Sequence, residues 1–217
     1  VAKVKANGMT PMLEPHWTHG QYTGNSAGCS DVHATCQKPM PGMQYTPSFW
    51  TSVAGTFKDD PTVVLDLFNE PYPDRATAMT TQAWQCRRDG GTCPGIAYSN
   101  DVSQWLTHKP DDPKSDLAAA WHVYNFNTCA NESCWNSQFA PVAAQVPLVA
   151  GEIGENTCGH SFVDQVMKWF DDRGLSYLGW TWNTWSCTSG PALISGYDGT
   201  PTAYGIGLRD HLRSLDG

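Results

Sequence analysis

Residues 62–71 read Thr-Val-Val-Leu-Asp-Leu-Phe-Asn-Glu-Pro. The run is mostly apolar and is preceded by Asp59-Asp60-Pro61, so it reads as a strand ending in an amide, a carboxylate and a proline. Near-continuous apolarity belongs to strands covered on both faces, as in a parallel sheet. Pro71 is expected to hold Glu70 in extended backbone.

Upstream, Thr46 and Pro47 open a helix whose Phe49, Trp50, Val53, Ala54 and Phe57 recur at three- and four-residue steps. Residues 9–17 form a short apolar strand with a polar tip at Glu14, His16 and Trp17, and residues 1–8 read as a helix end closed by Gly8. Downstream, residues 72–98 are loop-like, and a short helix is expected at 102–106. Strands follow at 116–126 (DLAAAWHVYNF), 146–152 (VPLVAGE) and 175–185 (LSYLGWTWNTW). A helix is expected over 137–145, and another is opened by a Ser161/Asp164 capping arrangement and stopped at Gly174. A loop and a short helical tail end the chain.

Strands alternating with helices and tipped by polar residues predict an α/β fold with a parallel sheet, either a closed (β/α)8 barrel or an open doubly wound sheet. No glycine-rich phosphate fingerprint follows any strand, which favours the barrel. The length fits one domain over 1–217.

Composition narrows the function. Net charge is −8, which disfavours nucleic acid and anionic membrane, since phosphate binding needs a basic surface. No apolar run approaches a membrane span, and no leader with a basic start and apolar centre is present. Ten tryptophans in 217 residues suit a protein that stacks aromatic faces on a neutral sugar polymer. Eight cysteines read as disulfides of an oxidising, extracellular compartment. Proximity pairs Cys29 with Cys36, Cys86 with Cys93, Cys129 with Cys134 and Cys158 with Cys187, among 105 possible connectivities. Metal is the rival reading, because His33 lies between Cys29 and Cys36, but no pair has zinc-knuckle spacing.

The strand tips carry the chemistry. Glu70 and Glu152 each end a strand; Glu155, three residues further on, belongs to the following loop. His122 and Tyr124 are two apart and share a face, as do Trp180 and Trp182, and Glu14 and His16. Glycosidic hydrolysis needs such a set: a protonated carboxyl for the leaving oxygen, an ionised one to attack or to activate water, and donors that orient them. Trp50, Trp105 and Trp169 read as packing residues. Trp17, Trp84, Trp135, Trp182 and Trp185 suit either outer sugar subsites or a cover over the barrel mouth.

LFNEP, HVYNF, VAGEIGE and LGWTWNTW, in this order, resemble the strand tips of glycoside hydrolase family five, and PHWT resembles its third strand. The resemblance implies a retaining (β/α)8 barrel with Glu70 as acid/base and Glu152 as nucleophile. It implies that Asn69 binds the sugar 2-hydroxyl, that His122 supports the acid/base and Tyr124 the nucleophile. His16 would be a substrate-site histidine and Trp180 the platform under the cleaved sugar. GGTCPG and the aromatic-rich loops look like bacterial extracellular endoglucanases. Members begin with two further strand–helix units, the second bearing an arginine that contacts the nucleophile, and normally carry a helix and most of a strand between Ile96 and Ala97. The expectation is therefore an incomplete barrel with exposed edges prone to self-association. The reading is a secreted endo-β-1,4-glucanase needing no metal or cofactor; a mannanase of the same family and a non-catalytic carbohydrate-binding protein are the alternatives.

Overall fold

The computed structural model describes residues 1–16, 45–70, 106, 109, 111–127 and 129–215. Outside these lie Cys29–Cys36, Cys86–Cys93, His33, Trp17, Trp84, Trp105, the 72–98 segment and all but the last residue of the helix expected at 102–106. The chain packs as two compact units, Val1–Asn100 and Asp101–Gly217.

In the first unit, helix α1 (Ala2–Lys5) runs to Gly8, whose left-handed φ of 72° turns the chain toward strand β1 (Met12–Leu13). Helix α2 (Thr46–Phe57) has Pro47 in its first turn, where a missing N–H costs nothing. Strand β2 (Val64–Leu65) pairs parallel with β1. The ladder outruns both strands: Val64, Asp66 and Asn69 donate backbone N–H to Pro11, Leu13 and Pro15. Trp50 Nε1 donates to the Leu67 carbonyl at 3.0 Å, fastening α2 to β2.

The second unit holds strand β3 (Ala119–Tyr124), helices α3 (Glu132–Gln138) and α4 (Ala140–Ala143), strand β4 (Leu148–Gly154), helix α5 (Ser161–Asp171), strand β5 (Ser176–Gly179) and helix α6 (Ala203–Leu215). The sheet order is β3-β4-β5, parallel throughout. One face of the sheet presents Ala119, Val123, Leu148, Ala150 and Ile153 to a core completed by Trp135, Phe139, Val163, Val166, Met167 and Phe170. Trp121 stacks on Phe139 with ring centres 3.6 Å apart, and Trp135 is 1% exposed, so Trp135 is a core residue and not part of a sugar surface. Asn136 Oδ1 accepts from Trp169 Nε1 and from Arg173, so the indole is buried with its donor satisfied.

A bulge decides what β4 presents. Trp121 pairs with Ala150 but His122 pairs with Glu152, which leaves Gly151 as an extra residue. Strict alternation would put Glu152 on the face of Leu148 and Ala150. The extra residue flips the phase, so Ile153 faces the core and Glu152 lies across from His122.

Several boundaries differ from expectation. The helix expected over 137–145 is two helices; the first begins at Glu132 because the Asn131 side chain accepts from Cys134 N–H at 3.0 Å, and Pro141 opens the second. The N-terminus of α5 is not capped by Ser161 and Asp164. Glu155 Oε2 accepts from the N–H groups of Phe162 and Val163 at 2.7 and 2.9 Å, while Asp164 pairs with His160. The other end of α5 closes as expected: Gly174, at φ 63°, and Leu175 donate back to Asp171 and Phe170. Strand β5 stops at Gly179, short of Trp182, because Thr181 N–H turns to the Pro191 carbonyl. The tail is a 13-residue helix that buries Tyr204 and Leu208. Disulfides Cys129–Cys134 and Cys158–Cys187 form as proximity suggested.

Candidate active site

Each unit carries part of the expected set at the C-terminal tips of its strands. In the first, Glu14 and His16 follow β1, and Asn69 and Glu70 follow β2. His16 Nδ1 lies 3.2 Å from Glu14 Oε2, and its Nε2 lies 3.5 Å from Asn69 Nδ2. If Nδ1 carries the proton toward the carboxylate, Nε2 is the acceptor and the Asn69 NH2 points at it. The other end of the amide, Oδ1, is buried and meets no donor among the described residues. Asn69 is itself 5% exposed, so this is a polar group held in place and short of one hydrogen bond. Glu70 is exposed, and the chain bends there with φ 38°. The extended backbone expected from Pro71 is thus replaced by a left-handed residue, since a tip that turns away from its strand cannot stay extended.

In the second unit the sheet face opposite the core brings His122, Tyr124 and Glu152 together. Glu152 is 6% exposed. Its Oε2 accepts the Tyr124 phenol O–H and lies 3.4 Å from His122 Nδ1. The Tyr124 hydrogen bond fixes the orientation of this buried carboxylate. His122, expected to support Glu70, is thus seen against Glu152. Trp180 donates its backbone N–H to Ile153 at 2.9 Å, which ties the tip of β5 to that of β4, and its peptide bond to Thr181 is cis. Trp182 and Trp185 are 64% and 45% exposed in the segment that follows.

Glu155 is a different kind of residue. It is 1% exposed, with one oxygen on the α5 N–H groups and the other accepting from Thr157 Oγ1. Both oxygens are committed to structure. Sequence spacing placed Glu155 in a loop but carried no sign of this cap, because the capped helix begins six residues later. Phe126 was also passed over: it lies parallel to Tyr124 with ring centres 4.8 Å apart.

Parallel strands tipped by carboxylates, imidazoles, an amide and a phenol, with helices between them, define the (β/α)8-barrel class. A family model described as cellulase (glycosyl hydrolase family 5) matches residues 1–186. The chain belongs to glycosyl hydrolase family 5. It is 24% identical over 201 residues to a mannan endo-1,4-beta-mannosidase of Streptomyces lividans, covering 84% of this chain and 48% of that protein. It thus spans about half the length of that curated relative. A beta-glucanase from Saccharophagus degradans superposes with a TM-score of 0.61 at 19% identity, over 82% of this chain and 61% of that one. A Thermomonospora fusca beta-mannanase in complex with mannotriose gives 0.61 at 21% identity, over 94% and 70%. The solved structures speak to the fold.

Proposed function

We propose that the chain carries the working groups of a secreted, endo-acting, retaining β-1,4-glycan hydrolase, with Glu152 as nucleophile and Glu70 as acid/base. The observation that carries this reading is the buried Glu152 carboxylate accepting the Tyr124 phenol on a bulge that turns it out of the core. Glu155, the competing carboxylate, has both oxygens spent on a helix end and on Thr157. The reaction runs in two displacements. Glu152 attacks the anomeric carbon while the glycosidic C–O bond breaks and Glu70 gives its proton to the leaving oxygen. Water then attacks the same carbon, Glu70 takes its proton, and the Glu152–sugar ester bond breaks. Tyr124 and His122 steady the nucleophile, and Asn69 binds the sugar 2-hydroxyl. His16 orients Asn69, and Trp180 stacks under the sugar being cleaved. The steps require no metal or organic cofactor. Two disulfides among the described residues fit an oxidising compartment.

The substrate proposed is a β-1,4-glucan; the mannosidase named above favours mannan as a second reading. The test is hydrolysis of a soluble cellulose derivative and of a soluble mannan by this chain and by its Glu152→Gln variant. Glu152→Gln is expected to lose at least a thousandfold in kcat on whichever polymer is cut, with the first product retaining the β-anomer by NMR. Turnover that survives in the variant, or an inverted product, would overturn the assignment. Binding of oligosaccharides by a folded wild type without turnover would favour a non-catalytic carbohydrate-binding protein.

A further inference from the structure

Phe126 is 58% exposed, yet its ring lies within 10° of parallel to that of Tyr124, which is 6% exposed. A scattered exposed aromatic needs no explanation, but one laid flat on the residue that donates to Glu152 does. Three local devices hold the arrangement. Asn127 closes a turn on Tyr124, its Oδ1 accepting from Tyr124 N–H at 2.6 Å and its own N–H donating to the Tyr124 carbonyl at 3.0 Å. Asn125 and Asn156 bracket the tips of β3 and β4: Asn125 Nδ2 donates to Asn156 Oδ1 at 3.0 Å, and Asn156 N–H to Asn125 Oδ1 at 3.2 Å. Gly154, which pairs with Tyr124, leaves room for the phenol ring: a Cβ there would stand 2.9 Å from Tyr124 Cε1. The ring of Tyr124 is therefore bounded by Gly154 and overlaid by Phe126.

We propose that Phe126 is a positioning residue for the nucleophile, a roof that keeps water from the Tyr124–Glu152 hydrogen bond. The inference rests on the proposed role of Glu152. A hydrogen bond to a carboxylate is stronger where water cannot compete for either partner, and a phenol free to tilt would not hold Oε2 in one place. Phe126 does this through Tyr124.

Two readouts test it on Phe126→Ala and Phe126→Tyr, with Glu152→Gln alongside. In steady-state hydrolysis Phe126→Ala is expected to lower kcat and kcat/KM together by about tenfold with KM within twofold. Phe126→Tyr restores the ring and is expected to come back within about twofold. In NMR the Tyr124 hydroxyl proton is expected to exchange with water at least tenfold faster in Phe126→Ala and at the wild-type rate in Phe126→Tyr. This second measurement needs no turnover. A wild type that cuts neither polymer would sink the hydrolase reading and leave the exchange rate to decide the role of Phe126. An unchanged exchange rate overturns the proposal, and so does a rise in KM alone, which would make the ring a sugar platform.

Discussion

Asp60 shows at the scale of one residue how neighbours set a charge. Its carboxylate accepts from Lys5 Nζ at 2.6 Å and from Thr62, whose hydroxyl and backbone N–H both donate. The hydrogen bond from Lys5 is the main cause holding its pKa at about 2, with Thr62 adding to it. A depressed folded value means that the contribution to stability is fully present above the unfolded value of about 3.9 and is lost as pH falls from there through about 2. The group is open to solvent, so salt should weaken the effect. Carboxyl NMR should find the Asp60 midpoint near 2 at low salt and higher in molar salt. A midpoint near 4 at low salt would show that the pair does not form in solution. Glu152 needs a different account: it is held by Tyr124 and His122 inside the sheet face, where screening by solvent is weak.

At the scale of elements, helix α5 rests on a carboxylate that belongs to the preceding turn. Glu155→Gln keeps the shape but puts an NH2 where one acceptor oxygen stood and removes the charge that favours a helix start. The expected cost is about 1–3 kcal/mol, read as a lower urea midpoint with unchanged m-value. An unchanged midpoint would mean that the α5 N–H groups find other partners. This cap also marks the limit of what could be read from the chain alone. The 3.6-residue recurrence of Phe162, Val163, Val166, Met167 and Phe170 is a local property, and the structure buries the last four and packs the half-buried Phe162 against the same core. Gly174 is likewise a local stop. Glu155 reaching forward to Phe162 and Val163 is a contact made only once β4 and α5 have docked. Asn131 was legible as a cap in principle, since an Asn three residues before Cys134 and a helical run is a common start. The bulge was hinted at only by Gly151, and the end of β5 at Gly179 by nothing in the Trp-rich run that follows.

For the whole molecule, the alternation of strands and helices and the motifs at the strand tips carried the class and the family, because both are written in order along the chain. The outer tryptophans were less legible, since exposure depends on what packs over them: Trp135 is core while Trp182 stands in solvent. Among the described residues the sheets have two and three strands, where a closed barrel has eight, and β3 and β5 each flank β4 on one side only. Parallel edges of this kind recruit further strands, and we propose that this 217-residue chain self-associates through them. Light scattering across a concentration series should show dimers or larger species; a monomer at all concentrations would count against it. The extra residue in β4 has a further consequence for how this family can vary. Straightening β4 with all its residues kept would exchange the two faces of everything beyond position 151, whereas losing the one extra residue there would set Glu152 directly after Ala150 and keep both faces. In the straightened strand Ile153 would turn out of the core and Glu152 into it. Lineages should therefore keep the extra residue and its bulge together or lose both together.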